Sequence, residues 1–504
     1  MQKKTILLIL VLGVLFKVSL TWDGNFLFNM DNARDMVDVR EMVVLGKPRL
    51  IGPTSVIEGL FNGPAWYYLL SVPFILSNGN PYASIILQIV LWAIGGFFLL
   101  KIVSRWGSIL ILPIGFLWIA SNYINLATSY AFNPNPVTLL TPMFIYLLGK
   151  YLESGKFIFI AAAFLLGGLF FNFEMNIGVF MPAIILISTL LIKRGLLKTK
   201  SFWLAALFFI LCLMPQIFFD LRHNFFMFNS VLNFLRNSNA SEVNIIVRFQ
   251  SISGSFYEVF SATLMNHRIL AIIILLLFIP FFKKTGKRDI DKLAIISFVF
   301  IFVPFVGYLF LPVTVNAWHL GGPASAAIIL IGFILKRLRS INPAGKIISV
   351  IVSVIIFYNA LFGIFKFIFQ DRFAVNNDPS LYKNEVAAVN YVYKNAKGEN
   401  FKVFIFMPSV IDYPYQYLFW WIGKNKYGYI PYEYAYSPNK PQYISNKEKF
   451  EGSKENYKGL VFLIKEPNRG RNYKSGWEAD YRFMQLMSKD QLGSLELEIR
   501  KENP

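Results

Sequence analysis

MQKKTILLILVLGVLFKVSLTW, residues 1–22, gives way within a few residues to NMDNARDMVDVR, residues 29–40. The first stretch is hydrocarbon behind a basic start, long enough to cross a bilayer core as a helix. The second brings Asp31, Arg34, Asp35, Asp38 and Arg40 together, with Glu41 next. Charge is costly inside a bilayer, so these residues belong at the end of the first helix, outside the hydrocarbon. The basic start followed by an apolar run has the outline of a secretory signal, but no small-x-small cleavage site follows. The expectation is an uncleaved first helix with its N-terminus in the cytoplasm.

The rest of the chain repeats the contrast. It is 55% hydrophobic and 15% charged over 504 residues, with a mean hydropathy of +0.50. That leaves too little polar side chain for the surface of a soluble protein. Apolar runs at 5–22, 81–103, 108–130, 136–151, 156–173, 176–192, 202–218, 268–282, 291–310, 318–335 and 346–369 imply an α-helical polytopic membrane protein of about 11 transmembrane helices. Membrane barrels are excluded, because their strands are short and alternate apolar with polar. AWYYLLSVPFILS (65–77) is short and holds Pro73, so it reads as interfacial or re-entrant.

The basic residues test the count. With the N-terminus inside, the inner loops are Ser104–Gly107, Lys150–Lys156, Lys193–Lys200, Lys283–Lys292 and Lys336–Lys346, all short and together rich in Lys and Arg. The outer connections are 23–80, 131–135, 174–175, 219–267 and 311–317. The alternation follows the positive-inside rule, and counting 65–77 as a span would invert it. A net charge of +20 therefore reads as topology, not as nucleic-acid binding. The single cysteine, Cys212, cannot form an intrachain disulfide.

An odd number of spans leaves the C-terminus outside. The expected domains are 1–374, a transmembrane domain that includes the outer loop 23–80, and 375–504, a small extracytoplasmic α/β domain. In the second, 381–396 reads as an amphipathic helix and FKVFIFMP (401–408) and GLVFLIKE (459–466) as buried strands. The aromatic YPYQYLFWWIG (413–423) reads as a helix resting on the membrane surface. No internal repeat is visible.

Polar residues gather on the outer side. Arg49 and Glu58 join the first loop; Asn133 and Asn135 lie in AFNPNP (131–136); Asn172, Glu174 and Asn176 lie in FFNFEMN (170–176); Asp220, Arg222 and His223 lie in FFDLRHNFF (218–226); Trp318 and His319 open a later span. Separate helices thus aim polar groups at one plane. An ionised carboxylate can accept a proton from an attacking hydroxyl. Arg and His can neutralise a phosphate leaving group. The mixture suits transfer from a phosphate-linked donor better than an ion pore.

FNMDNARDMVDVREMVVLGKPRLIGP (28–53) followed by GLFNGPAWYYLL (59–70) resembles the first outer loop of the bacterial GT-C membrane glycosyltransferases of the aminoarabinose-transferase and protein O-mannosyltransferase type. The second segment is similar to that family's Phe-x-x-Pro-x-x-Tyr-Tyr closing segment, and PQIFFDLRHNF (215–225) resembles a further family segment. The likeness covers roughly 1–335. It implies an inverting transferase using a polyprenyl-phosphate sugar donor on the outer face of the bacterial cytoplasmic membrane, among membrane lipids, with a lipid, glycan or protein acceptor. Asp31 takes the place of the loop acid that positions or deprotonates the acceptor hydroxyl. Asp35, Asn62, Tyr67, Asn133, Asn135 and Glu174 become acceptor or sugar contacts.

Three departures stand out. Asp31–Asn32 replaces an acidic pair, Asn62-Gly63-Pro64 replaces Glu-Lys before the proline, and Asn133 and Asn135 stand where Asp is usual. Phosphate binding then falls to Arg34, Arg49, Arg222, His223 and His319, and whether a divalent metal takes part is left open. Two rivals remain: a transporter or flippase of a lipid-linked glycan, and a non-catalytic assembly protein. Few midplane charges and no repeat speak against transport.

Overall fold

Side-chain caps fix where the long apolar helices begin. Thr199 accepts from the Phe202 N–H at the start of Lys200–Arg222, and Asp291 accepts from Leu293 N–H at 2.9 Å ahead of Lys292–Phe310. Asn342 accepts from Gly345 N–H at 2.7 Å, with Pro343 opening Pro343–Phe369 where its missing N–H costs nothing. In this computed structural model, residues 2–55, 57–237, 244–278, 291–438, 444–468, 470 and 473–502 are described.

Among them seven helices are long and apolar enough to cross a membrane, or up to nine if each of two bent pairs is one span. The expected runs 136–151 and 156–173 form the helices Asn135–Ser154 and Phe157–Phe173. Run 108–130 is bent by 52° between Ser108–Ala120 and Asn122–Ser129. Residues 279–290, which hold the end of the expected span 268–282 and most of the basic loop 283–292, lie outside the described residues. Ala65–Leu76 is a helix of 12 residues, about 18 Å long by its rise per residue and too short for a bilayer core.

One expectation changes here. Residues 219–267 are not a plain connection: they hold the helices Phe226–Asn237 and Ile245–Thr263, the second bent by 110° against Arg268–Leu277. Arg248, Gln250, Glu258 and four serines dilute its apolar signal below that of a span.

Contacts divide the chain into two units: Met1–Ser19, Arg49–Leu69 and Ile85–Phe373; and Leu20–Pro48, Leu70–Ser84 and Ala374–Pro504. In the first, Gly321–Ile341 is buried along almost its whole length and packs against Asn135–Ser154, Lys292–Phe310 and Pro343–Phe369. Ser325 Oγ donates to Thr138 O at 2.6 Å across one of these seams. Lys17 is buried in the first helix; its ammonium donates to Ile119 O at 2.9 Å and to Asn125 Oδ1, which gives the charge partners inside apolar surroundings.

The second unit is built on a five-stranded sheet: β1 Asn400–Phe406, β2 Glu433–Ala435, β3 Tyr457–Lys465, β4 Gln485–Leu492 and β5 Leu495–Lys501, in the order β2-β1-β3-β5-β4. β1 pairs in parallel with β2 and β3, and β3–β5 and β5–β4 are antiparallel. β1 and β3 are the two strands legible as apolar runs. Both faces of β1 are covered, so its apolar residues do not alternate with polar ones. Phe401 meets Tyr393 and Phe419 of the helices Tyr382–Ala396 and Tyr413–Ile422; Phe404 and Phe406 meet Tyr481 and Trp477. The Tyr413–Ile422 helix is therefore core, not a helix resting on a membrane surface: Tyr415, Tyr417, Leu418 and Phe419 are fully buried.

The helix Met30–Val44 belongs to this second unit. It packs on Tyr413–Ile422, with the Arg40 guanidinium 3.9 Å from the Phe450 ring centre and 5.3 Å from that of Trp420. Arg40 Nη1 donates to Gln416 O at 3.2 Å, and Glu41 accepts from Asn446 Nδ2 at 2.7 Å and from Ser445 Oγ. Contacts thus group the early charged segment with the C-terminal residues, whereas the expected boundary at 374/375 groups it with the spans.

Candidate active site

Asn29 caps Met30–Val44, accepting from the Asp31 N–H at 3.1 Å. The helix that follows sets Asp31, Arg34, Asp35 and Asp38 at i, i+3, i+4 and i+7, which is one stripe. Arg34 links them. Its Nη2 and Nε donate to Asp35 Oδ1 at 2.9 and 3.1 Å, and its Nη1 to Asp31 Oδ1 at 3.3 Å. Asp35 is fully buried, whereas the Asp31 side chain keeps 33% of its exposure. So the pair has one structural and one accessible carboxylate. Tyr413 stands beside the stripe: its phenol is pushed up to about 12, first by burial, then by the charge of Asp38, with Arg34 opposing and Asp35 and Asp412 adding. Tyr413 lies 382 residues further along the chain, and no local pattern could have paired it with Asp31.

The first unit holds a second polar cluster, centred on the turn after Phe157–Phe173. Glu174 is buried and caps Met175–Gly178, taking both the N–H (3.2 Å) and side-chain amide (2.7 Å) of Asn176 on Oε1. The Asn176 amide also lies 3.2 Å from His319 Nε2, and Tyr308 donates to Asn176 O at 2.9 Å. Asn62 Oδ1 accepts from Met175 N–H at 3.0 Å, and Asn133 Nδ2 donates to Phe173 O at 2.6 Å. Asn62, Asn133, Glu174 and His319, expected from four separate segments, therefore meet at residues 173–176.

The other expected residues sit elsewhere. Asn135 closes its own turn, donating to Tyr130 O at 2.6 Å. Tyr67 is buried and Arg49 half-buried. Arg222 and His223 are exposed at the end of Lys200–Arg222, the His223 ring stacked on Phe219 at 4.1 Å. Asp220, in the last turn of the same helix, caps Phe226–Asn237, accepting from Met227 N–H at 2.6 Å. His319 is enclosed. It is 1% exposed, with Nδ1 facing the Asn316 N–H at 3.2 Å and Nε2 facing Asn176, so both nitrogens are engaged within the fold. A ring so placed bridges elements. Among the described residues no group of three or more His, Cys, Asp or Glu side chains is placed to hold a metal ion.

No family model and no curated protein matches the sequence. Solved structures similar in fold include two of one protein. The crystal structure of ArnT from Cupriavidus metallidurans bound to undecaprenyl phosphate aligns with a TM-score of 0.56, and that of the same protein in the apo state with 0.60. Each is 10% identical, with 98% of this chain and 97% of that chain covered. The chain thus has the ArnT-like fold, a polytopic helical membrane protein with a small C-terminal sheet domain. Identity this low speaks to the fold alone.

Proposed function

We propose that this protein is a glycosyltransferase moving a sugar from a polyprenyl-phosphate donor to a hydroxyl acceptor, on the outer face of the bacterial cytoplasmic membrane. The observation that carries the reading is Asp31, an accessible carboxylate steadied by Arg34, in a chain of this fold. In the step itself, the acceptor oxygen attacks the anomeric carbon from the face opposite the phosphate. Its proton passes to the Asp31 carboxylate. The bond between anomeric carbon and phosphate oxygen breaks, and the polyprenyl phosphate leaves with the bonding electrons, which inverts the anomeric centre. Arg34 holds Asp31 in place and Asp35 holds Arg34. Arg49, Arg222 and His223 are proposed contacts for the donor phosphate. The Asn62–Glu174–His319 cluster is assigned to shaping the first unit's polar end.

The test is transfer of labelled sugar from a panel of polyprenyl-phosphate donors in membranes, wild type beside Asp31→Asn. General-base removal predicts a loss of roughly 10²–10⁴-fold. Full activity in a folded Asp31→Asn protein would sink the assignment. Movement of a lipid-linked sugar across liposomes, with no transfer to any acceptor, would instead support the flippase reading.

A further inference from the structure

A cleft of about 470 Å³ in the first unit lies between residues 57–59 and the Phe226–Asn237 helix. The helix presents Phe226, Ser230, Asn233, Phe234 and Asn237 to it, at i, i+4, i+7, i+8 and i+11, a single face. Its other side carries Phe228 and Leu235, both large, apolar and exposed. Glu58 closes the cleft from the loop side. Gly59 forms the seam: its φ is +78°, and a Cβ there would come within 2.3 Å of Ser230 Oγ and 3.1 Å of the Phe226 ring. The loop backbone therefore rests directly on the helix.

The lining combines two phenylalanine rings with two amides, a hydroxyl and a carboxylate, and it holds no Lys, Arg or His. Glu58, Asn233 and Asn237 all line the cleft and are exposed, so their polar groups are within reach of a ligand there. A primary amide both donates and accepts, as vicinal hydroxyls do. Aromatic faces pack on apolar C–H surfaces. The lack of cations disfavours phosphates and uronates. We infer that this cleft binds a neutral saccharide, through the amides of Asn233 and Asn237, the Glu58 carboxylate and the rings of Phe226 and Phe234.

This goes beyond the transferase reading, where the saccharide is part of the acceptor, and its test needs no turnover. Purified full-length protein, in nanodiscs because a glycoside detergent would compete, is titrated with maltose, cellobiose, chitobiose and mannobiose by saturation-transfer NMR. The expected result is saturable binding of at least one, weakened tenfold or more in Asn233→Ala/Asn237→Ala and unchanged in Arg236→Ala. Both asparagines are exposed and Ala is the better helix former, so the double variant keeps its fold. If none of the four binds, or if binding survives the double variant, the inference fails. Asp31→Asn should bind as wild type does, so loss of transfer and loss of saccharide binding are read apart.

Discussion

Arg34 sets two of its nitrogens on one oxygen of Asp35: Nη2 at 2.9 Å and Nε at 3.1 Å both reach Oδ1. Asp35 is fully enclosed and the Arg34 side chain is 13% exposed, so each helps to solvate the other's charge. Removing one partner of such a pair weakens the solvation of the other, at a cost of up to about 3–5 kcal/mol when burial is complete. Arg34→Ala should lower the denaturation midpoint strongly, and Arg34→Ala/Asp35→Asn should recover most of it. Guanidinium unfolding followed by tryptophan fluorescence distinguishes the two. A double variant no more stable than the single would show that the pair is not coupled.

Gly63 in the first unit has no room for a side chain. A Cβ there would lie 1.9 Å from Asn172 Oδ1 and 2.2 Å from its Cγ. Asn172 cannot easily retreat, being buried and donating to Gly168 O at 3.1 Å and Cys212 O at 2.9 Å. Gly63→Ala should cost about 1–3 kcal/mol by overpacking. Gly254→Ala, inside a helix with nothing near its Cβ, should instead gain up to about 1 kcal/mol. Melting temperatures of the two variants should move in opposite directions.

Acid should loosen the second unit. Burial alone would raise Glu496, but its bonds with Lys465 and Lys489 outweigh that and hold the carboxyl down to about 2 against an ordinary 4.5. A group depressed on folding stabilises above its unfolded value and loses that contribution as pH falls through its folded one. The unit's unfolding midpoint should therefore drop between about pH 4.5 and pH 2. Glu496→Gln should flatten that slope, and an unchanged slope would assign the acid response to other groups.

Arg40 tests shape against charge. It is 1% exposed, lies against the Phe450 ring and donates to Gln416 O. Lys keeps the charge but neither the planar stack nor the fork of donors. Arg40→Lys should destabilise more than Arg40→Met, whose apolar side chain of similar length leaves no buried charge to satisfy. Equilibrium unfolding of both variants gives the order, and the reverse order would mean that charge alone matters at this site.

Much of the fold was legible because membrane helices announce themselves locally: a long apolar run with Thr199, Asp291 or Asn342 ahead of it needs no distant partner to be read. β1 and β3 were legible for the same reason. β4 and β5 were not, since QLMSKDQL and LELEIRK are mostly polar and gain their identity from pairing with each other. The Ile245–Thr263 helix was missed behind its serines. At the candidate site, shared sidedness pointed to Asn133, Glu174 and His319 and the family resemblance to Asn62, and the four meet at residues 173–176. What it could not supply was the state of each group. That Asp35 is sealed, that His319 is spent on internal bonds, and that Tyr413 faces the charged stripe all depend on packing between distant segments.

The bond from Arg40 to Gln416 spans 376 residues of chain. At the usual pace of synthesis, about 5–20 residues per second, the charged helix waits on the order of tens of seconds before its aromatic bed exists. During that time it is an orphan, amphipathic and open to proteases or to a holding chaperone. A message truncated near its 3′ end would thus yield a chain whose hydrophobic helices are all made but whose acid-bearing helix has nowhere to dock. The last hundred residues thus complete the bed on which a helix of the first fifty docks.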